Sequence, residues 1–261
     1  MHPVLFHLGG FEVPSYGVAL SLAFIVGFLV ARRRAIARGI DDERLLDVSL
    51  VIFFTSLLGA RLLWVATHRE LFQPPHGAWV DALNPFRGRG LFGFEGLSML
   101  GGVVLATGSA LAFMAWRRMP VLATADVIAP SVALGEGITR IGCFLNGCCY
   151  GVPCSAWYCV HFPGVGESSV HPTQLYASAA GFACFALLSR VLRHPPFPGA
   201  VFALLLVLEG FERVLLDLVR HQDASVVWFR LGEAPFTANQ GVSIGLVIAG
   251  AIAFATLSRR L

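Results

Sequence analysis

The sequence contains no lysine: all nineteen basic residues are arginine. GC-rich coding produces the same bias, so it carries little functional weight. Charge of either sign is scarce, at 13% of 261 residues, against roughly 25% in soluble domains. The net charge of +3 is small and dispersed, which excludes the basic footprint of a nucleic-acid-binding protein. No basic residue precedes Arg32, so the positive leader of a secretory signal is missing. Residues 1–13 are therefore expected to form a short interfacial segment ahead of a retained first span. There is no internal repeat and no low-complexity tract. What the chain has instead is apolar residue, 56% of the total, with a mean hydropathy of +0.71. This composition belongs to integral membrane proteins.

A membrane span needs about 20 apolar residues. Seven segments qualify: 15–32, 46–66, 97–116, 123–144, 171–190, 200–219 and 240–257. The expected fold class is an all-α integral membrane protein with seven transmembrane helices, residues 1–261 forming one integral domain. Arginines mark one side. Arg32, Arg33, Arg34, Arg38 and Arg44 follow span 1, Arg117 and Arg118 follow span 3, Arg190 and Arg193 follow span 5, and Arg259 and Arg260 follow span 7. The positive-inside rule makes these connections cytoplasmic. The N-terminus is then outside and the C-terminus inside. The opposite connections, 67–96, 145–170 and 220–239, are longer, and Trp79, Trp157, Tyr158 and Trp228 suit interfacial depth there.

Ionisable groups inside spans cost about 2.5–3.5 kcal/mol each on insertion scales and mark functional sites by default. Charged and other polar groups gather here in the middle or outer half of their spans: Arg61, Glu136, Arg140, Asn146, His171, Gln174, Glu209, Arg213 and Asp217. Glu136 and Arg140 are four apart and can pair on one helix face. Glu209 with Arg213, and Arg213 with Asp217, repeat that spacing. One reading is a set of structural ion pairs closing a helix bundle. The other is a polar chamber in which arginine forks face an anionic head group, for which their bidentate geometry is suited. His171 opens span 5 ahead of Pro172, with Gln174 and Tyr176 one turn on, and is either a hydrogen-bonded bystander or a catalytic group. Tyr16 at the start of span 1 is either an interfacial anchor or a donor into the chamber.

Five of the six cysteines cluster near the outer end of span 4: Cys143, Cys148, Cys149, Cys154 and Cys159. Disulfides in the 148–159 loop are the leading expectation, then free thiols. A metal site with His161 is the least favoured reading, because no Cys-x-x-Cys spacing is present.

Across nearly its whole length the chain resembles the phosphatidylglycerol–prolipoprotein diacylglyceryl transferases of bacterial inner membranes. The resemblance rests on Tyr16-Gly17, Gly59-Ala60-Arg61, Gly96-Leu97-Ser98 with Gly101-Gly102, and Gly137-Ile138-Thr139-Arg140-Ile141-Gly142. It continues with Asn146-Gly147, Gly151, His171-Pro172-Thr173-Gln174-Leu175-Tyr176, and Arg213, Asp217, Arg220 and Asp223. It implies transfer of a diacylglyceryl group from phosphatidylglycerol to the lipobox cysteine of a prolipoprotein, with release of glycerol 1-phosphate at the outer leaflet. It implies no cofactor and no metal. Arg140, Arg213, His171, Tyr16 and Glu209 are then the expected catalytic residues. Arg140, Asn146, Gly151, Arg213, Arg61 and Gln174 would hold the phospholipid head group. The chain departs from the family pattern at four positions. Leu100 stands where the family has a histidine, Cys143 where it has an asparagine, Cys148 where it has an acid, and Glu209 where it has a tyrosine. The proton acceptor is accordingly sought among His171, Glu209 and Glu136. A divergent paralogue that binds or transports phospholipid, or uses another acceptor, is the alternative expectation.

Overall fold

A computed structural model describes residues 2–8, 11–72, 96, 98–163, 165–166, 168–220, 227–231 and 234–259. Helices fall on all seven expected segments: α1 (Ser15–Ile36), α2 (Asp42–Thr67), α3 (Met99–Trp116), α4 (Val121–Asn146), α5 (Thr173–Arg193), α6 (Ala200–Asp217) and α7 (Ala238–Ser258). Five of them, α1, α2, α4, α5 and α7, contain stretches long and apolar enough to cross a membrane. The apolar part of α3, Leu100–Trp116, is shorter, and α6 carries Glu209, Glu212, Arg213 and Asp217. Large apolar side chains stand exposed along these helices, among them Ile25 and Leu29 on α1 and Ile248 and Ile252 on α7. Their number follows from a solvent that is lipid. The chain is a multi-pass membrane protein.

The expectation of helices alone needs one addition. Strands β1 (Val4–Leu8) and β2 (Phe11–Pro14) form an antiparallel hairpin, as do β3 (Val227–Leu231) and β4 (Ala234–Thr237). Each hairpin leads directly into a helix, α1 or α7. In the sequence Gly9-Gly10 separates the first pair, a composition that two-residue hairpin loops favour. Trp79, Leu97 and Asp223 lie outside the described residues.

The chain divides into two compact units, residues Met1–Arg34 with Leu122–Leu261, and residues Ala35–Val121. In the smaller unit α2 and α3 cross at Gly59 and Gly101. A Cβ on Gly59 would lie 2.6 Å from the Cβ of Leu105 and collide with the Gly101 carbonyl. Only glycine permits this approach, the usual device for packing helices in lipid.

In the larger unit Ala129 and Ala133 of α4, Leu188 and Leu192 of α5, and Val201 and Leu205 of α6 form the buried core. Gly137 and Gly181 let α4 and α5 touch, and the Ser178 hydroxyl donates to the Gly137 carbonyl at 2.8 Å. Two buried carboxylates hold helix starts. Asp126 of α4 accepts from the backbone N–H groups of Gly199 (2.7 Å) and Phe202 (2.9 Å), which caps α6 from a neighbouring helix. Asp217 accepts from the Thr237 hydroxyl at 3.2 Å, and Thr237 with Gln240 forms the capping box of α7. Asp217 therefore serves the α6–α7 junction, and the i,i+4 partnership with Arg213 expected from spacing is not made.

Candidate active site

Glu136 stands at the centre of the polar cluster in the larger unit. Its Oε1 accepts from Arg140 Nη2 at 3.1 Å and Nε at 3.4 Å, one turn on along α4. The same oxygen accepts from Arg213 Nη2 of α6 at 2.8 Å. One carboxylate thus brings two guanidinium groups from different helices together. All three side chains are mostly buried, with 14%, 13% and 22% exposure for Glu136, Arg140 and Arg213. The expected Glu136–Arg140 pair is present. Arg213, however, turns to Glu136 and to Glu212, whose Oε2 lies 3.9 Å from its Nε, and away from the anticipated partner Glu209.

Glu209 instead faces Glu136. Ligand oxygens of Glu136, Glu209 and Glu212 all lie within 4.8 Å of one another. Both Glu212 oxygens are buried without a hydrogen bond among the described residues. Glu212 is not among the residues singled out from the sequence, and its i,i+3 relation to Glu209 is the signal that could have found it.

The C-terminus of α4 builds the next part of the site. Gly147, at φ +76°, takes the left-handed conformation that ends many helices. Its N–H donates to Phe144 O and that of Cys148 to Cys143 O, both at 3.2 Å. This is the Schellman arrangement, and it returns the chain so that Cys148 meets Cys143. Asn146 is the last residue of α4. Cys149 lies within the field of Arg140 and Arg220. Its Sγ donates to that of Cys148 at 3.6 Å.

The first turn of α5 fixes this loop. Gln174 Nε2 donates to Cys148 O at 2.6 Å and Thr173 Oγ1 to Cys149 O at 2.8 Å. Gln174 is 1% exposed, and its Oε1 is buried with no partner among the described residues. Gly151 donates its N–H to His171 O at 2.9 Å, and Val152 N–H reaches Val219 O at the same distance. A Cβ on Gly151 would lie 2.7 Å from His171 Cβ and strike the Val219 carbonyl. Glycine is required there because three segments meet. Tyr16, 40% exposed at the start of α1, interacts electrostatically with Arg140 and with all three thiols.

Two expected members remain to be placed. His171 Nδ1 is 3.3 Å from the Tyr176 hydroxyl, and its ring faces Tyr158 and Tyr176. Its contacts are with tyrosines, not with the carboxylate–arginine cluster. Arg61 belongs to the smaller unit. It is 5% exposed, donates to Gly96 O at 3.2 Å, and lies 5.1 Å over the Trp64 ring and 5.5 Å over Phe72. Of the cysteines, Cys154 and Cys159 form a disulfide, while Cys143, Cys148, Cys149 and Cys184 are free thiols. The 148–159 loop thus holds the expected bridge, and the remaining thiols are reduced.

A family model described as prolipoprotein diacylglyceryl transferase matches residues 3–256. A phosphatidylglycerol–prolipoprotein diacylglyceryl transferase of Geobacter sulfurreducens is 31% identical over 99% of this chain and 96% of its own. Those of Clostridium tetani and Finegoldia magna are each 28% identical, over 97% of this chain and 97% and 94% of theirs. These matches run through both compact units and through the whole Glu136–Arg140–Arg213 cluster. The chain belongs to the prolipoprotein diacylglyceryl transferase family.

Proposed function

We propose that this protein transfers the diacylglyceryl group of phosphatidylglycerol to the lipobox cysteine of prolipoproteins, releasing glycerol 1-phosphate. The observation that carries the reading is the pair of guanidinium groups gathered from α4 and α6 around one carboxylate. Arg140 and Arg213 offer two planar forks to a phosphate, and an anion between them replaces part of what Glu136 supplies in its absence. As the acceptor sulfur attacks the glyceryl carbon, the C–S bond forms and the C–O bond to phosphate breaks. The negative charge that builds on the departing phosphate falls to the two arginines.

The thiol proton goes to the Glu136–Glu209 pair. Carboxyl oxygens gathered within 4.8 Å of one another can share a proton taken from the thiol. Tyr16 and Asn146 border the same space, Tyr16 through its electrostatic contact with Arg140 and Asn146 through the thiol loop. Gly151 and Gln174 shape the wall of the site by holding that loop. On this reading residues 1–261 act as one integral domain of a bacterial inner membrane. The N-terminus lies outside, the C-terminus is cytoplasmic, and the site opens to the outer leaflet, where the lipid enters sideways.

The test is complementation of a bacterial strain depleted of its own transferase. Diacylglyceryl-modified lipoprotein should reappear on expression of this chain. A chain that inserts well and accumulates, yet leaves the precursor unmodified, would sink the reading.

A further inference from the structure

The sulfur atoms of Cys143, Cys148 and Cys149 all lie within 4.8 Å of one another, and those of Cys148 and Cys149 are 3.6 Å apart. Three thiolates bound to one zinc-class ion at about 2.3 Å in tetrahedral geometry stand about 3.8 Å apart. The protein therefore holds these sulfurs close to the separation that such an ion imposes.

Two features of the backbone produce this convergence. The Schellman turn at the end of α4 returns Cys148 to Cys143, as described above. Consecutive side chains of an extended segment point to opposite sides, yet Cys149 adopts φ +65°. This left-handed conformation is rare for a residue with a Cβ, and here its sulfur lies on the same side as that of Cys148. The loop is then locked from α5, by Gln174 on the Cys148 carbonyl and Thr173 on the Cys149 carbonyl.

A disulfide suits the pair less well. Adjacent residues have Cα atoms about 3.8 Å apart, below the roughly 4.4 Å at which disulfides usually begin. In the same loop, Cys154 and Cys159 at a Cα separation of 6.0 Å do form one. Charge also fits. Three thiolates around a divalent ion leave a net negative charge, and Arg140 acts on Cys143 and Cys149 while Arg220 acts on Cys149.

We propose that Cys143, Cys148 and Cys149 form a three-thiolate site for one thiophilic d10 cation of the zinc class. Three protein ligands leave the fourth tetrahedral position to water or to an incoming thiol, as in catalytic rather than structural zinc sites. The site does not depend on which acceptor the enzyme modifies.

The probe is cadmium, titrated into the full chain in detergent and followed by its ultraviolet thiolate-to-metal band. The expected result is a band that saturates at one ion per chain and is displaced by zinc. It should be lost in Cys149→Ser and Cys143→Ser, and kept in Cys184→Ser and in the Cys154→Ser/Cys159→Ser double variant. A measurement on the unmodified chain covers variants that fail to fold. Zinc should shield Cys143, Cys148 and Cys149 from alkylation, read by mass spectrometry, and leave Cys184 as reactive as before. No saturable band, a band unchanged in Cys149→Ser, equal alkylation with and without zinc, or a disulfide among the three thiols in the purified protein would each overturn the site.

Discussion

Arg61 and Arg140 are both arginines buried in apolar helices, and the sequence offers the same argument for each. Their surroundings differ. Arg61 lies over two aromatic faces and donates to a backbone carbonyl. Arg140 shares a single carboxylate oxygen with a second guanidinium, and two further carboxylates stand within 4.8 Å of that carboxylate. The first arginine packs within its own unit. The second shares one carboxylate oxygen with a guanidinium from another helix, where a phosphate can compete for both forks. The position of a charge in a span thus says less than the number of like charges that converge on it.

The contrast is broken most directly at the cluster. Arg140→Ala or Arg213→Ala should lower turnover by at least about a hundredfold, the loss typical of one preorganised donor to a developing charge. Arg140→Lys should recover only part of it, since the ammonium keeps the charge without the fork. Near-full lipoprotein modification by Arg140→Ala in membranes would mean that the phosphate is held elsewhere.

Glu209→Gln sharpens the same site. The amide keeps the shape of the carboxyl, so the ion pairs and the fold should persist while the proton acceptor is lost. The expected outcome is a fall in kcat of about a hundredfold, with little change in KM for the lipid. A rise in KM at constant kcat would instead make Glu209 a binding residue and return the proton to His171.

Much of this architecture was legible in the sequence because lipid leaves the chain few options. Backbone groups in hydrocarbon must be satisfied internally, so the apolar runs read as helices, and all seven fall on the expected segments. The hairpins before α1 and α7 were not visible, since four- and five-residue strands give too short a pattern to stand out among apolar residues. Within the site, Glu136 with Arg140 could be read because the pair is local. The turn of Arg213 to Glu136 depends on how α4 and α6 meet, and i,i+4 spacing instead suggested Glu209 and Asp217. Asp217 reads in the sequence as a charge in a span, yet it and Asp126 each hold the start of another helix. Gly151 was expected at a head group, whereas its role in the fold is to let three segments touch.

Arg61→Ala tests the other side of the comparison, with a smaller expected effect. A desolvated cation–π contact is worth about 2 kcal/mol, so the loss should appear first as stability. Thermal unfolding in detergent should shift down by several degrees. Turnover per folded molecule should fall far less than in Arg140→Ala. Unchanged stability with abolished turnover would erase the distinction between the two arginines and return Arg61 to the head-group site.

The smallest effect is expected at Leu100, the position at which the family resemblance implies a histidine. Its side chain is 51% exposed near the start of α3. Leucine can neither take up nor release a proton. If the thiol proton goes to the Glu136–Glu209 pair, shortening this side chain removes only apolar contact. Leu100→Ala should therefore leave the rate of lipoprotein modification within about twofold, in line with substitutions made away from special features. Leu100→His is the informative partner. It restores a titratable group at that position, and a protein that already has its proton acceptor should gain nothing from it. A large gain in turnover from Leu100→His, read in the same complementation assay, would show that proton transfer limits this chain and that its carboxylates are an incomplete substitute.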